Sequence, residues 1–212
     1  LKILAVHRYY WPDTPPYASM LRSIVKRWHE DGHCVDVLSS QPSYKTDIFN
    51  DRFSKVTYVD GVKVERLNLP HEAGRPLTRV LNALRLGGGV IWRALLRRYD
   101  VVMISTSPPI LGGLSAAITK KLTRTRFIYH CMDIHPEVGR LSGEFSQPIV
   151  FSLLRMLDLW SCKAASLVIV LSKDMMNTLI DRPGGDSCTI KVLNNFSLPA
   201  DNSALAILPF EF

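Results

Sequence analysis

Between Phe127 and Gly139 the sequence reads Phe-Ile-Tyr-His-Cys-Met-Asp-Ile-His-Pro-Glu-Val-Gly. His130, Asp133, His135 and Glu137 put four ionisable side chains within eight residues. Imidazoles and carboxylates at this density can pass protons, accept hydrogen bonds from hydroxyls, or hold an ion. The apolar, β-rich run before them has the composition of a buried strand, so the polar groups emerge where that strand ends. Pro136 is expected to stop any regular element there. In open α/β sheets the ligand crevice lies outside the carboxyl ends of the strands. The stretch therefore reads as the lip of an active site. The competing reading is a polar loop in which Asp133 caps a turn and the histidines are merely solvated.

Other chemistries fit less well. Cys131, Asp133, His135 and Glu137 alternate as metal ligands do, but their neighbours lack the spacing of a closed zinc site. No metal and no cofactor is expected. There is no Gly-x-Gly-x-x-Gly, which counts against a Rossmann dehydrogenase or methyltransferase. There is no nucleophile elbow, which counts against a hydrolase. Arginines spread along helices without a recognition motif argue against nucleic acid as a partner.

Strands and helices must alternate to deliver such loops, and the sequence alternates throughout. Lys2–Val6 reads as a central strand, and the loop from His7 to Tyr17 is broken by three prolines. Ala18–Asp31 has helical spacing, and Val35, Val37 and Leu38 supply a second strand. Ser40–Asn50 is polar and turn-rich. Val56–Leu69 reads as a hairpin turning at Asp60-Gly61. Further strands are expected at Val101–Ile104, Arg126–Cys131, Leu167–Leu171 and Thr189–Leu193. Helices fall between them at Ile110–Leu122, Pro148–Ala165 and Lys173–Ile180. The expected fold is α/β, a Rossmann-like doubly wound parallel sheet of about six or seven strands.

Between the hairpin and the next strand lies a long basic stretch. Leucines and valines interleave with Arg79, Arg85, Arg93, Arg97 and Arg98, giving one amphipathic helix or two, loosened at Gly87-Gly88-Gly89. Its ordinary explanation is a helix packed on the sheet with a solvated arginine face. The sharper one is contact with an anionic membrane surface. The net charge of +7, from 26 Lys and Arg against 19 Asp and Glu, favours anionic partners without choosing among them. A hydrophobic content of 47% with 21% charged residues is that of a folded globular chain. Cys34, Cys131, Cys162 and Cys188 are widely spaced and read as reduced thiols of a cytoplasmic protein, peripheral to the inner face of a membrane if the basic helix binds there.

Taken together, several segments resemble the GT-B glycosyltransferases of the type found in family 4. Tyr9-Tyr10-Trp11-Pro12-Asp13 is similar to the family's loop after the first strand. Gly32-His33-Cys34-Val35-Asp36-Val37-Leu38 resembles its turn into the second. Thr106-Ser107-Pro108-Pro109 matches a Thr-Ser-Pro-Pro loop, and Asp133-Ile134-His135-Pro136-Glu137 resembles its Asp-Leu-Trp-Pro-Glu segment. Val168–Ser172 and Val192-Leu193-Asn194-Asn195-Phe196 resemble the elements that close the first domain. The ordered set, spanning residues 2 to about 199, carries the resemblance.

The resemblance implies two Rossmann-like domains facing a cleft, with residues 1–199 the amino-terminal, acceptor-holding one. Residues 200–212 would be a linker or the start of a donor-binding domain. The implied reaction moves a sugar from a nucleotide-sugar donor to a saccharide or lipid-linked acceptor, and this fragment alone would be inactive. His130 and Asp133 are the implied catalytic pair. Asp133 is the preferred polar anchor, since a buried carboxylate is costly unless a sugar hydroxyl or a base satisfies it. Tyr9, Tyr10, Pro12, Tyr17, Ser107, Pro108, His135 and Glu137 are the implied substrate contacts. Two departures stand out. Thr14-Pro15-Pro16-Tyr17-Ala18 occupies the place of the family's Gly-Gly pair, which leaves the phosphate to amides near Tyr17 and Ala18. Met132 stands where relatives carry histidine; His130 and His135 both lie nearby, with His130 closer to the strand. A non-catalytic Rossmann-like domain binding a phosphorylated or nucleotide ligand is the alternative.

Overall fold

In the computed structural model, residues 1–13, 15–42, 53–72, 74–143 and 145–195 are described. The tail assigned to 200–212, Phe196 and most of the turn-rich Ser40–Asn50 stretch lie outside them. The strands are β1 (Lys2–Val6), β2 (Cys34–Ser40), β3 (Val56–Val59), β4 (Val62–Leu67), β5 (Val101–Ser105), β6 (Arg126–Cys131), β7 (Leu167–Val170) and β8 (Ile190–Val192). The helices are α1 (Pro16–Glu30), α2 (Pro76–Arg97), α3 (Leu111–Thr123), α4 (Glu137–Leu141), α5 (Pro148–Ala164) and α6 (Lys173–Ile180).

All eight strands form one sheet in the order β3-β4-β2-β1-β5-β6-β7-β8. Every adjacent pair is parallel except β3 with β4. The sheet is larger than expected by its antiparallel edge. Asp60 and Gly61 sit at φ of 52° and 80°, the left-handed pair of a tight hairpin, and fold β3 back on β4 as their sequence predicts.

Apolar side chains alternate between the two faces of the strands, and each set buries under helices. One core joins Leu4, Val6, Ile104 and Phe127 to Leu86 and Val90 of α2, Ala116 of α3, Cys162 of α5 and Leu179 of α6. The other joins Ile3, Ala5, Val35 and Met103 to Tyr17, Leu21 and Val25 of α1. Four helices thus share one face, and α1 lies on the other.

Two local expectations are corrected. Helix α2 runs unbroken through Gly87-Gly88-Gly89. A Cβ on Gly87 would come 3.0 Å from Cβ of Ser115, so that glycine lets α2 and α3 approach closely and does not loosen the helix. Pro136 does not end regular structure either: it occupies the N-cap position of α4, where a missing N–H costs nothing.

The chain leaves β1 for β2 in one direction and later leaves β5 for β6 in the other. The reversal lies between β1 and β5. That is where a doubly wound sheet opens a crevice.

Candidate functional site

At this reversal the strand ends set their polar residues in a row. Register places Val6 beside Ile104 and Ser105 beside His130, so His7, Ser105 and His130 follow across β1, β5 and β6. Nδ1 of His7 is hydrogen bonded to Oγ of Ser105. Tyr17, in the first turn of α1, lies over the row: its ring is 4.5 Å from that of His7, and its hydroxyl is 2.9 Å from Nδ1 of His130. All four side chains are buried.

Burial decides their charge. Desolvation, and then the proximity of His130, lower the His7 pKa from 6.5 to about 3. Desolvation lowers His130 to about 4. It raises the Tyr17 phenol well above its ordinary value, helped by Cys131. At neutral pH both imidazoles are uncharged and the phenol keeps its proton. A protonated phenol and a neutral imidazole share one hydrogen bond here, the phenol donating to Nδ1 when the ring proton is on Nε2 and accepting when it is on Nδ1. Oγ of Ser105 also accepts the Ser107 amide at 3.4 Å, so it ties the strand end at His7 to the 105–107 turn. His130 also borders a cavity of ≈ 230 Å³, lined by Met20, Trp28, Met103, Ile169 and Asn194.

The loops above are tied to one another. The Arg8 amide donates to Ser107 O at 3.3 Å, and the Met132 amide to Oγ1 of Thr106 at 3.2 Å. The hydroxyls of Ser39 and Ser40 both donate to Arg8 O. Arg8 itself pairs with Glu72, and Nη2 of Arg66 donates to Trp11 O at 2.8 Å. Arg8 and Arg66 are buried.

Of the residues singled out in the sequence, Tyr17 and His130 meet directly. Tyr9 is half-buried with its ring 6.2 Å from His7, and Ser107 joins through Arg8. Pro12 and His135 are half-buried and Pro108 buried; among the described residues Nδ1 of His135 has no hydrogen-bond partner. Tyr10 is fully buried in the α1-side core.

Asp133 is exposed, and no hydrogen bond or ion pair among the described residues engages it, so the expectation of a buried carboxylate does not hold for it. Glu137 is fully occupied. Its two oxygens accept from Nε and Nη2 of Arg182 at 3.0 and 2.6 Å, and Nη1 of the same guanidinium meets the buried Asp158 at 2.6 Å. Nη2 also donates to His135 O at 2.7 Å, which pins the 135–137 loop. Among the described residues no group of His, Cys, Asp or Glu is arranged to hold a metal ion.

His7, Arg8 and Ser105 went unmarked in the sequence, although the strand-end rule that marked His130 applies equally to them. Arg182 had no such signal. It lies 45 residues from Glu137, in a turn with no motif.

Residues 17–195 match the family model described as the glycosyl transferase 4-like domain, and the chain belongs to that family. Among solved structures it is similar to sucrose-phosphate synthase from Thermosynechococcus elongatus (TM-score 0.69, 15% identity, 98% of this chain and 53% of that one). It is also similar to HepE from Anabaena in complex with UDP (0.56, 21%, 97% and 49%). A third is the catalytic domain of starch synthase IV from Arabidopsis thaliana, bound to ADP and acarbose (0.55, 9%, 88% and 48%). The chain spans about half the length of each. No curated protein matches it significantly. The sheet and its helices match the Rossmann-like domains of GT-B glycosyltransferases.

Proposed function

We propose that this glycosyl transferase 4-like chain is the amino-terminal, acceptor-holding half of an enzyme that moves a sugar from a nucleotide-sugar to a lipid-linked or polysaccharide-precursor acceptor. One observation carries the reading: in a member of this family, a neutral His130 fixed by Tyr17 stands at the topological switch point beside His7. A neutral imidazole engaged at Nδ1 by Tyr17 leaves Nε2 for a sugar hydroxyl, which can donate to it or accept from it. Asp133, exposed and uncommitted, is suited to accept from another hydroxyl. Tyr9, Pro12, Ser107, Pro108 and His135 border this space in the reading, while Tyr10 and Glu137 support it from behind. The first turn of α1 turns its Tyr17 amide toward a donor phosphate in this reading, while the Ala18 amide donates to Pro15 O at 2.9 Å.

The solved relatives holding UDP and ADP support a nucleoside diphosphate-sugar as donor, with the diphosphate as leaving group. In this reading most of the donor contacts belong to a second domain, so residues 1–212 alone transfer nothing. The test is release of nucleoside diphosphate by the full-length enzyme across a panel of nucleotide-sugars and saccharide acceptors. Acceptor-dependent release from one donor supports the proposal. Its absence across the panel, or turnover by the 212-residue chain alone, overturns it.

A further inference from the structure

The helices α2, α3 and α5 lie side by side on one face of the sheet, α3 between the other two. Their inward sides fill the core, as helices on a sheet must. Their outward sides are apolar too. On α2, Leu77, Leu81, Leu84, Trp92, Leu95 and Leu96 are all exposed, Leu77 at 78% and Trp92 at 63%. Spacings of three, four and seven or eight residues put Leu77, Leu81, Leu84 and Trp92 on one stripe, along a helix about 33 Å long. On α5, Ile149, Leu153, Met156 and Trp160 repeat the pattern, with Ile149 exposed at 83%. Ile118 and Leu122 of α3 bridge the two stripes. Scattered exposed leucines need no explanation, but a face three helices wide does.

The charge on this face has one sign. Within α2, α3 and α5 the only carboxylate is Asp158, which is buried and paired with Arg182. Exposed cations sit among and beside the apolar stripes: Arg85 on α2, Arg98 at its C-cap, Lys121 on α3, Arg124 at its C-cap and Lys163 on α5. The arginines expected to form a solvated face divide. Arg93 and Arg97 turn inward to Glu65 and Asp36 on the sheet, and what they leave outside is mostly leucine.

We propose that this three-helix face seats in the interfacial layer of an anionic bilayer, with the leucine stripes and the two tryptophans in the acyl boundary and the cations against lipid phosphates. Tryptophan suits that depth because its ring is apolar and its N–H is wet. Among the described residues no helix is long and apolar enough to cross a membrane, so the face lies on the bilayer. A second copy of the chain fits poorly: a two-fold interface would set cations against the same cations. An anionic headgroup layer complements both components at once. The proposal deepens the transfer reading by bringing the site to a lipid-linked acceptor, but it rests on the surface alone, so vesicle binding and sugar transfer fail independently.

The test is co-sedimentation of the purified chain with vesicles of phosphatidylcholine alone or mixed with phosphatidylglycerol. Binding is expected to the mixed vesicles, to weaken as salt is added, and to bring a blue shift in tryptophan emission. Leu81→Asp with Trp92→Asp, both at exposed positions, is expected to cut it by about tenfold or more with an unchanged circular dichroism melt. Arg85→Ser with Arg98→Ser, which leaves the apolar stripe intact, is expected to weaken binding to the mixed vesicles only. No binding to mixed vesicles overturns the proposal, as does equal binding to neutral ones. Self-association that the aspartates abolish, without vesicle binding, would give the face to a second copy and equally overturn it.

Discussion

The Tyr17 hydroxyl lies 2.9 Å from Nδ1 of His130, joining the first turn of α1 to the carboxyl end of β6 across 113 residues of sequence. Both partners are buried and neutral, so the bond fixes the ring's position, and with the phenol as donor it selects the Nε2–H tautomer. Nitrogen NMR of the labelled imidazole is expected to show the Nε2–H form of His130 at pH 7. Tyr17→Phe removes the donor and should give mixed tautomers with little change in stability, since one hydrogen bond contributes about 1 kcal/mol. An unchanged single tautomer in the variant would mean that another group sets it.

The two histidines predict an acid-labile fold. In the unfolded chain an imidazole titrates near 6.5, whereas in the native chain His7 titrates at about 3 and His130 at about 4. Above pH 6.5 both states are neutral and neither group affects stability. Below it the unfolded state takes up protons that the native state refuses, so stability falls as pH drops. The slope is roughly 1.4 kcal/mol per pH unit for each group while only the unfolded form is protonated. Urea unfolding at pH 7 and pH 5 should therefore show a smaller acid loss for His7→Phe than for the parent chain. An equal loss in both would show that His7 is protonated in the native state.

Arg182 holds a second predicted weak point. Its guanidinium is buried between Asp158 and Glu137, whose hydrogen bonds and charges outweigh that burial and raise its pKa; burial, with a smaller push from Glu137, raises that of the Asp158 carboxyl. Arg182→Met would leave Asp158 buried without its cation. A loss of about 3–5 kcal/mol is expected by chemical denaturation. Asp158→Asn combined with Arg182→Met should recover part of it, because the orphaned charge is then gone. If the double variant is no more stable than the single one, the cost lies in packing and not in the unpaired carboxylate.

The legible part of this molecule was what repeats locally. Alternating strands and helices, the Asp60-Gly61 turn and the strand end at His130 are short-range signals, and each appears in the fold. What the sequence hid is which way a side chain turns at a given depth. Asp133 and Glu137 are four residues apart, and both were expected to face the substrate, one as catalytic anchor and one as contact. One is exposed, and the other is held by an arginine from a distant turn. Tyr9 and Tyr10 divide likewise: in the loop after β1 one is half-buried and the other fully buried in the α1-side core. In α2 the arginine spacing was visible, but inward pairing with Asp36 and Glu65 needed the sheet order, which only the fold supplies.

That division between Asp133 and Glu137 gives the sharpest test of the site. Asp133 is exposed and makes no hydrogen bond or ion pair among the described residues, so Asp133→Asn should leave the unfolding free energy unchanged within about 0.5 kcal/mol. If its carboxylate accepts from an acceptor or donor hydroxyl, the same change should lower transfer by the full-length enzyme about tenfold, or about 1.4 kcal/mol in barrier. Glu137→Gln should behave in the opposite way. It weakens a doubly hydrogen-bonded pair with Arg182 and is expected to cost about 1–3 kcal/mol of stability. Transfer at a temperature where that variant remains folded should then stay within a few-fold of the parent. Unfolding curves and steady-state rates on the two variants separate the roles. A stable Asp133→Asn enzyme at the parental rate would remove Asp133 from the site. A stable Glu137→Gln enzyme with a collapsed rate would move Glu137 into it.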